Sequence, residues 1–224
     1  MKKSINKQLV LSVVLILVCF LIAVKALSSI TTVIFDSRQT VCLDPGHGGD
    51  DVGAVYKNNS RFEKDDNLKL ALKVKEELEK KDVKVLMTRE DDTYVSLKSR
   101  CKTANRGKAD LFVSLHRNSS SDGTGIEIWI KDKPTPEEEK MANDILAGLK
   151  GASEIPARGI KKGYRDSSGN NYYVNANTNM ASCLAEVGFI SSEKDNEDFD
   201  KNIDAYAKAI ADAICKNLRK EGFL

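Results

Sequence analysis

The chain contains two histidines, and each follows a short apolar run that has the composition of a buried strand. His47 lies in a glycine-rich turn after Thr40–Asp44, and His116 comes directly after Leu111–Leu115. Glycines around His47 suit an imidazole that faces a ligand, because bulky neighbours would obstruct the approach. A third apolar run ends with Glu186. Because parallel strands end at the same edge of a sheet, we expect these three side chains to lie together.

Two imidazoles and one carboxylate form a common catalytic zinc set, which leaves a fourth position for water. Zinc lowers the pKa of that water toward about 7, and hydrolysis then needs a further group that moves protons. A second glutamate, Glu63, lies in the polar stretch that follows the long loop 48–61. Spacing alone leaves open which of Glu63 and Glu186 binds the metal and which handles protons.

Each of these residues also has a purely structural explanation. His47 could cap a turn, and His116 could be a histidine whose hydrogen bonds are satisfied in the core. Glu63 stands among other charged residues, where a solvated surface charge is the simpler explanation. Glu186 is different, because a carboxylate within an apolar strand is costly to bury without a partner. The pair of strand-end histidines favours a shared site.

Strand-like and helix-like segments alternate along the sequence, which predicts the α/β class. We expect a single three-layer domain with a mostly parallel central sheet flanked by helices. The predicted strands are Thr40–Asp44, Val83–Met87, Leu111–Leu115, Gly125–Ile130 and Ala181–Val187. The predicted helices are one that is capped by Asp65 or Asp66 and runs to about Lys81, Leu97–Gly107, one that begins at Thr135, and one that covers Ile203–Leu218. The apolar stripe of the first helix is predicted to consist of Leu68, Ala71, Leu72 and Leu78.

The N-terminal region differs from the rest of the 224-residue chain. Lysines precede an apolar run from Leu9 to Val24, so residues 1–26 are interpreted as a signal peptide or an N-terminal membrane anchor. Residues 27–38 are interpreted as a tether and residues 39–224 as one domain. The positive charges before the run predict export of that domain, with membrane contact only through the N-terminal segment.

The charges and cysteines exclude some other classes of protein. A formal net charge of +2 argues against a nucleic-acid partner, because such proteins usually have a strong basic bias. The five cysteines lack the close spacing of a disulfide framework or a zinc knuckle. Small buried apolar residues are the simpler interpretation. A disulfide between Cys42 and Cys183 could form if their strands are neighbours.

Ordered motifs extend these observations: Leu43–Gly49, Glu63–Leu68, Ser114–Asn118 and Ala185–Ser191. Together they resemble the zinc-dependent N-acetylmuramoyl-L-alanine amidases of the Amidase_3 type, over a stretch from about Thr40 to Leu218. The resemblance implies that the domain hydrolyses an amide bond in peptidoglycan. That bond joins the lactyl group of N-acetylmuramic acid to the L-alanine of the stem peptide.

The resemblance also implies a division of roles within the site. His47, Glu63 and His116 would bind Zn²⁺, and Glu186 would be the catalytic acid and base. It resolves the choice between the two glutamates, which spacing alone left open.

Neighbouring residues are candidates for substrate binding. Asn118 is expected to contact the substrate. Arg117 departs from the family pattern, where a small or apolar residue is common, so it could bind a stem-peptide carboxylate or be a surface charge. The polar stretch Asp166–Asn170, followed by Asn171–Val174, is expected to overhang the substrate groove.

The expected short, exported catalytic domain is similar to the germination-specific amidases of spore formers, which take part in forming muramic-δ-lactam. This similarity implies spore-cortex peptidoglycan as substrate, a location facing the cell wall or in the forespore intermembrane space, and an activating lipoprotein or other partner. The alternatives are a non-catalytic wall-binding or scaffolding domain and a zinc peptidase that cuts within the stem peptide. The intact set of candidate site residues argues against the scaffold.

Overall fold

The computed structural model describes residues 11, 14–25, 38–165 and 170–218. The chain divides into two units, one up to Arg38 and the other from Gln39 onward. In the first unit residues 14–25 are helical, and none of the helices in the described ranges is long and apolar enough to span a membrane. The assignments of residues 1–26 and 27–38 lie largely outside the described residues and stay predictions.

A six-stranded sheet forms the centre of the second unit. Its strands are β1 (Thr40–Pro45), β4 (Lys84–Met87), β5 (Leu111–Asn118), β6 (Ile126–Ile130), β7 (Ala157–Lys162) and β8 (Ala181–Phe189). The strand order is β4-β1-β5-β8-β6-β7, and a separate hairpin pairs β2 (Val55–Tyr56) with β3 (Arg61–Phe62). Neighbouring strands of the large sheet are parallel except β6 and β8, which are antiparallel. The prediction of a mostly parallel sheet is confirmed.

Helices cover both faces of this sheet. They are α1 (Glu63–Glu79), α2 (Leu97–Arg106), α3 (Pro136–Ala152), α4 (Tyr173–Asn177) and α5 (Glu193–Leu218). Buried side chains of α1, α3 and α5 join the larger hydrophobic cluster on one face, and those of α2 and α4 join the smaller cluster on the other. The three-layer arrangement is therefore confirmed.

Residues of β1 alternate between the two clusters, as the period of a strand requires. Val41 and Leu43 belong to the larger cluster and Cys42 to the smaller one. Both faces are buried, which explains why the strand is a continuous apolar run. Cys183 lies in the cluster opposite to Cys42, and β5 separates their strands. A disulfide between these two cysteines is therefore excluded, and both are free.

Several element boundaries differ from the predictions. The first helix begins at Glu63, before the predicted cap at Asp65 or Asp66. Leu68 and Leu72 are only partly buried, because the helix packs along a row at four-residue spacing instead. That row consists of Leu70, Val74 and Leu78, with Ala71 beside it. The strand β5 is longer than predicted, so His116 lies within it rather than beyond it. The strand β8 contains Glu186, as predicted, and continues past Val187 to Phe189.

Candidate active site

His47 lies just beyond β1 in a turn that two buried arginines hold by its carbonyl groups. Arg89 donates to the carbonyl oxygens of Pro45 at 3.0 Å and Gly46 at 2.9 Å. Arg100 donates to the carbonyl oxygens of Pro45 and His47, both at 2.7 Å. The backbone of His47 has a φ of 60°, a left-handed conformation that is uncommon for a residue with a side chain. The guanidinium groups stabilise this conformation by satisfying the carbonyls of the turn.

The glycines of the turn leave room for protein groups. A Cβ at Gly46 would lie 2.1 Å from Cε1 of His116, and a Cβ at Gly48 would lie 2.3 Å from the carbonyl oxygen of Thr93. These glycines therefore allow close packing inside the protein. The expectation that they clear a path for an incoming ligand does not hold at these two positions.

The side chains of His47, Glu63 and His116 meet where β1, α1 and β5 converge. One ligand atom from each lies within 4.8 Å of the others. His116 Nδ1 is 2.8 Å from Glu63 Oε1, and His47 Nε2 is 3.3 Å from Glu63 Oε2. Imidazole nitrogens and a carboxylate so close together form a set of ligand atoms that suits Zn²⁺.

Neighbouring groups hold these side chains in position. Oε2 of Glu63 accepts a hydrogen bond from the amide of Ala54 at 2.8 Å, and Oε1 accepts one from the amide of Arg117 at 3.1 Å. Nδ1 of His47 is 2.8 Å from Oδ1 of Asp51. A carboxylate at Nδ1 leaves the other nitrogen of His47 for a ligand, the arrangement that usually orients a metal-binding histidine.

Electrostatics in this group favour a bound positive charge. Burial opposes ionisation of Glu63, but hydrogen bonds from His116 and His47 hold its pKa well below the usual range. Burial also disfavours a charged His47, yet the hydrogen bonds and charges of Glu63 and Asp51 raise its pKa to about 9. Within the described part of the chain, Glu63 forms ion pairs with the two histidines and with no lysine or arginine side chain. A divalent cation bound by these side chains would replace the proton of His47 as the positive charge that compensates this buried carboxylate.

Glu186 lies beside His116 in the register of β8 and β5. Its side chain is buried, and among the described residues Oε2 has no hydrogen-bond partner. Burial raises the pKa of Glu186 to about 7, and the negative charge of Glu63 adds to that effect. A carboxyl group with a pKa near neutrality can both accept and donate a proton at physiological pH.

Glu127, which sequence reasoning missed, pairs with Glu186 across β6 and β8. It is buried and accepts hydrogen bonds from Arg158 at 2.6 Å and from Asn118 at 3.1 Å. Asn118 thus donates a hydrogen bond to Glu127 next to the site. Its expected contact with the substrate stays a prediction. No sequence signal distinguished Glu127, because only the antiparallel pairing of β6 and β8 brings it to the site.

Arg117 does not fit either of its expected roles. Its side chain is 1% exposed, so it is not a surface charge. Its terminal nitrogens donate to Asp66 at 2.5 Å and Asn196 at 2.7 Å, and the guanidinium lies 4.3 Å from the centre of the Phe199 ring. Partners within the protein occupy these donors, which leaves no support for binding a stem-peptide carboxylate. The residue next to a candidate ligand is instead part of the core.

The candidate residues line one cavity of about 730 Å³: His47, Glu63, His116 and Glu186. Tyrosines form much of its remaining wall: Tyr94, Tyr164, Tyr172 and Tyr173. Asn170 and Asn171 also line it, whereas residues 166–169 of the expected overhanging loop lie outside the described residues. The cavity is large enough for a small-molecule-sized part of a substrate.

The fold and the site are together those of a hydrolase whose chemistry takes place at the carboxyl edge of a parallel sheet. Residues 41–217 match the Amidase_3 family, N-acetylmuramoyl-L-alanine amidase, and the chain belongs to this family. It is therefore an enzyme of the N-acetylmuramoyl-L-alanine amidase class, with peptidoglycan as its substrate.

Similar proteins agree with this assignment. The chain is 32% identical over 186 residues to the probable cell wall amidase LytH of Staphylococcus epidermidis. This match covers 81% of the present chain and 58% of LytH. An N-acetylmuramoyl-L-alanine amidase structure from Clostridium difficile 630 has 35% identity and a TM-score of 0.75, and the match covers 84% of this chain and all of that one. The CwlD amidase of Clostridioides difficile, solved in complex with the GerS lipoprotein, has 29% identity and a TM-score of 0.73, covering 81% and 98%. Cell-wall relatives imply an extracellular or wall-facing location.

Proposed function

We propose that this chain is a zinc-dependent amidase that releases the stem peptide from N-acetylmuramic acid, and that its substrate is spore-cortex peptidoglycan. One observation supports the proposed chemistry above all others. The cavity contains a group of ligand atoms from His47, Glu63 and His116 within 4.8 Å of one another. The carboxyl of Glu186, whose Oε2 has no hydrogen-bond partner among the described residues, lines the same cavity. This is the arrangement expected for hydrolysis of an unactivated amide.

The metal would be held by His47, Glu63 and His116, whose imidazole nitrogens, once deprotonated, and carboxylate oxygens match the preference of Zn²⁺. Bound zinc supplies Lewis-acid chemistry, polarising the amide carbonyl and lowering the pKa of the attacking water. Asp51 would orient His47, and the amides of Ala54 and Arg117 would orient Glu63.

Proton transfer falls to Glu186. Its carboxylate accepts a proton from the attacking water, and the resulting carboxylic acid donates that proton to the leaving amine of L-alanine. Both steps are needed because an unprotonated amine leaves an amide poorly. A pKa of about 7 suits a group that must act first as a base and then as an acid.

The cortex assignment and a protein partner are supported by similarity alone. The CwlD structure, which this chain resembles at a TM-score of 0.73, was solved with a lipoprotein, and we propose a lipoprotein activator for this chain. The apolar run that follows the N-terminal lysines supports export, with the catalytic domain facing the wall.

A digest of purified peptidoglycan tests the reaction. The full chain is incubated with cortex or vegetative peptidoglycan, with and without zinc, and the new ends are identified by mass spectrometry. Free lactyl groups on muramic acid together with intact stem peptides are the expected products. Cleavage inside the stem peptide would identify the alternative zinc peptidase. If neither zinc nor a cell extract that supplies a partner yields any product, a scaffolding domain becomes the better explanation.

Replacing Glu186 with glutamine tests the proton-transfer role. The E186Q variant is expected to retain zinc and to lose roughly 10²- to 10⁴-fold in kcat, because the amide cannot accept or return the proton. Zinc content is measured by mass spectrometry of the metal and kcat by release of stem peptide. E154Q, at an exposed glutamate that pairs with Lys201, is the matched control and should behave like the wild type. An active E186Q enzyme would refute the role.

A further inference from the structure

We propose that Arg165 recognises a carboxylate of the stem peptide, the α-carboxylate of the residue that follows L-alanine. This inference rests on the proposed amidase function and adds a determinant of substrate specificity to it. It also gives to Arg165 the role that the sequence suggested for Arg117.

Among the arginines that the structure describes in the cavity wall, Arg165 is the one with an exposed side chain. Its side chain is 54% exposed, whereas those of Arg100 and Arg117, which also line the cavity, are 3% and 1% exposed. Arg100 binds Asp44 and the turn carbonyls, and Arg117 binds Asp66 and Asn196. Their terminal nitrogens already donate to groups within the protein, so neither guanidinium can bind a substrate carboxylate through them without losing buried contacts.

The Arg165 side chain is held loosely in place. Nε donates to the hydroxyl of Tyr172 at 3.4 Å, and a terminal nitrogen lies 3.9 Å from Oε1 of Glu186, beyond hydrogen-bond distance. No other partner of its terminal nitrogens occurs in the described part of the chain. A planar guanidinium whose terminal nitrogens make only this long ion pair among the described residues can bind a carboxylate through two parallel hydrogen bonds.

The distance between Arg165 and Glu186 matches the chemistry of the stem peptide. Glu186 must reach the nitrogen of L-alanine, the atom that leaves. The α-carboxylate of the next residue lies up to about 6 Å from that nitrogen along an extended chain, given about 3.5 Å per residue. A terminal nitrogen 3.9 Å from Glu186 is therefore within reach of this carboxylate when the leaving nitrogen contacts Glu186.

A cation beside Glu186 also favours an anionic substrate. Glu186 lines the cavity next to the scissile bond and, when ionised, would repel a stem peptide that carries a free carboxylate. Arg165 would compensate for that repulsion close to the scissile bond. When the α-carboxylate is converted to the carboxamide, as in amidated stem peptides, this charge-assisted interaction is lost. We expect a preference of roughly 10- to 100-fold in kcat/KM for the free acid.

A pair of matched substrates tests the inference. Both are glycan strands whose stem is the dipeptide L-alanyl-D-glutamate. In both, the γ-carboxyl of the glutamate is blocked as the methylamide. They differ only at the α-position, which is a carboxylate in one and a carboxamide in the other. Blocking the γ-position excludes every other carboxylate of the stem. The kcat/KM values are measured with the zinc-loaded wild type, R165Q, R165K and R106Q, the last being an exposed arginine outside the cavity wall.

The expected result is a preference for the carboxylate in the wild type and R106Q, a ratio near one in R165Q, and an intermediate ratio in R165K. A wild type that cleaves both substrates equally would overturn the inference but leave the amidase function intact. An R165Q variant that keeps the preference, or that loses the same factor on both substrates, would overturn it as well. Failure of the wild type to free lactyl groups from intact peptidoglycan would refute the amidase function, and the inference with it.

Discussion

A single hydrogen bond, between Asp51 and His47, positions one of the candidate metal ligands. Asp51 contacts Nδ1 of His47 at 2.8 Å while its own side chain remains 45% exposed. It therefore contributes little to the hydrophobic core, and its main effect is on the orientation and charge of the imidazole. Such a residue can be removed without unfolding the protein, which makes its role in metal binding measurable.

The D51A variant is expected to bind zinc roughly 10- to 100-fold more weakly than the wild type, because His47 loses the partner that fixes its ring. Competition with a fluorescent zinc chelator measures the affinity, and the thermal unfolding midpoint reports on the fold. D50A changes the adjacent exposed acid and serves as the control. Equal zinc affinity in D51A and wild type would show that Asp51 does not orient the ligand.

Between elements, a buried polar network joins the site to the helical layer. Arg117 in β5 donates to Asp66 in α1 and to Asn196 in α5. Burial of the guanidinium lowers the pKa of Arg117 to about 10, which still leaves it charged at neutral pH. Because the next residue along β5 from His116 is anchored in this way, the network fixes the strand that carries a candidate ligand.

We expect R117M to destabilise the protein by about 3 kcal/mol, since breaking a buried pair typically costs about 3 to 5 kcal/mol and Arg61 still pairs with Asp66. Urea denaturation followed by circular dichroism gives the free energy of unfolding. K201M removes an exposed ion pair of α5 and should leave that value unchanged. If R117M is as stable as the wild type, methionine packing replaces the network fully.

Elements with strong local signals were predictable from sequence, whereas those defined by tertiary contact were not. Thr135 and Glu138 form a complete capping box at the start of α3, as the residue pattern there suggests. The strand β7 was missed because its sequence, with basic residues and a glycine, is that of a partly exposed edge strand. Arg117 was misassigned for a related reason: burial by α1 and α5 leaves no mark on the local sequence.

Across the whole domain, the location of the site was more predictable than its internal organisation. Apolar runs identified the strands whose carboxyl ends carry His47 and His116, because buried parallel strands have a simple pattern. The division of roles between Glu63 and Glu186 came from family resemblance. In the structure Glu63 lies between the two histidines and Glu186 stands beside His116, and the division of roles stays a prediction. Sequence spacing does not encode such distances.

One buried ion pair links the stability of the domain to the site. Asp44 in β1 accepts hydrogen bonds from Arg100 of α2 at 2.7 Å, Thr88 at 2.6 Å and Ser114 of β5 at 2.7 Å. Arg100 also holds the carbonyl of His47. Burial by itself would raise the pKa of Asp44, but the charge of Arg100 and these hydrogen bonds lower it below the usual value.

A depressed pKa fixes the sign of the pH dependence. The stabilisation from Asp44 is fully present above the ordinary aspartate pKa of about 4, and it is lost as the pH falls through the lower pKa of the folded state. We expect D44N to be less stable than the wild type by about 3 to 5 kcal/mol at pH 7, because Arg100 is left buried without its carboxylate. This difference should stay constant down to about pH 5 and shrink below it. Urea unfolding of both proteins from pH 7 to pH 2 measures it, and K201M provides the control profile. A difference that persists unchanged at pH 2 would mean that the charge of Asp44 does not stabilise the fold, and that packing of the side chain alone holds the His47 turn.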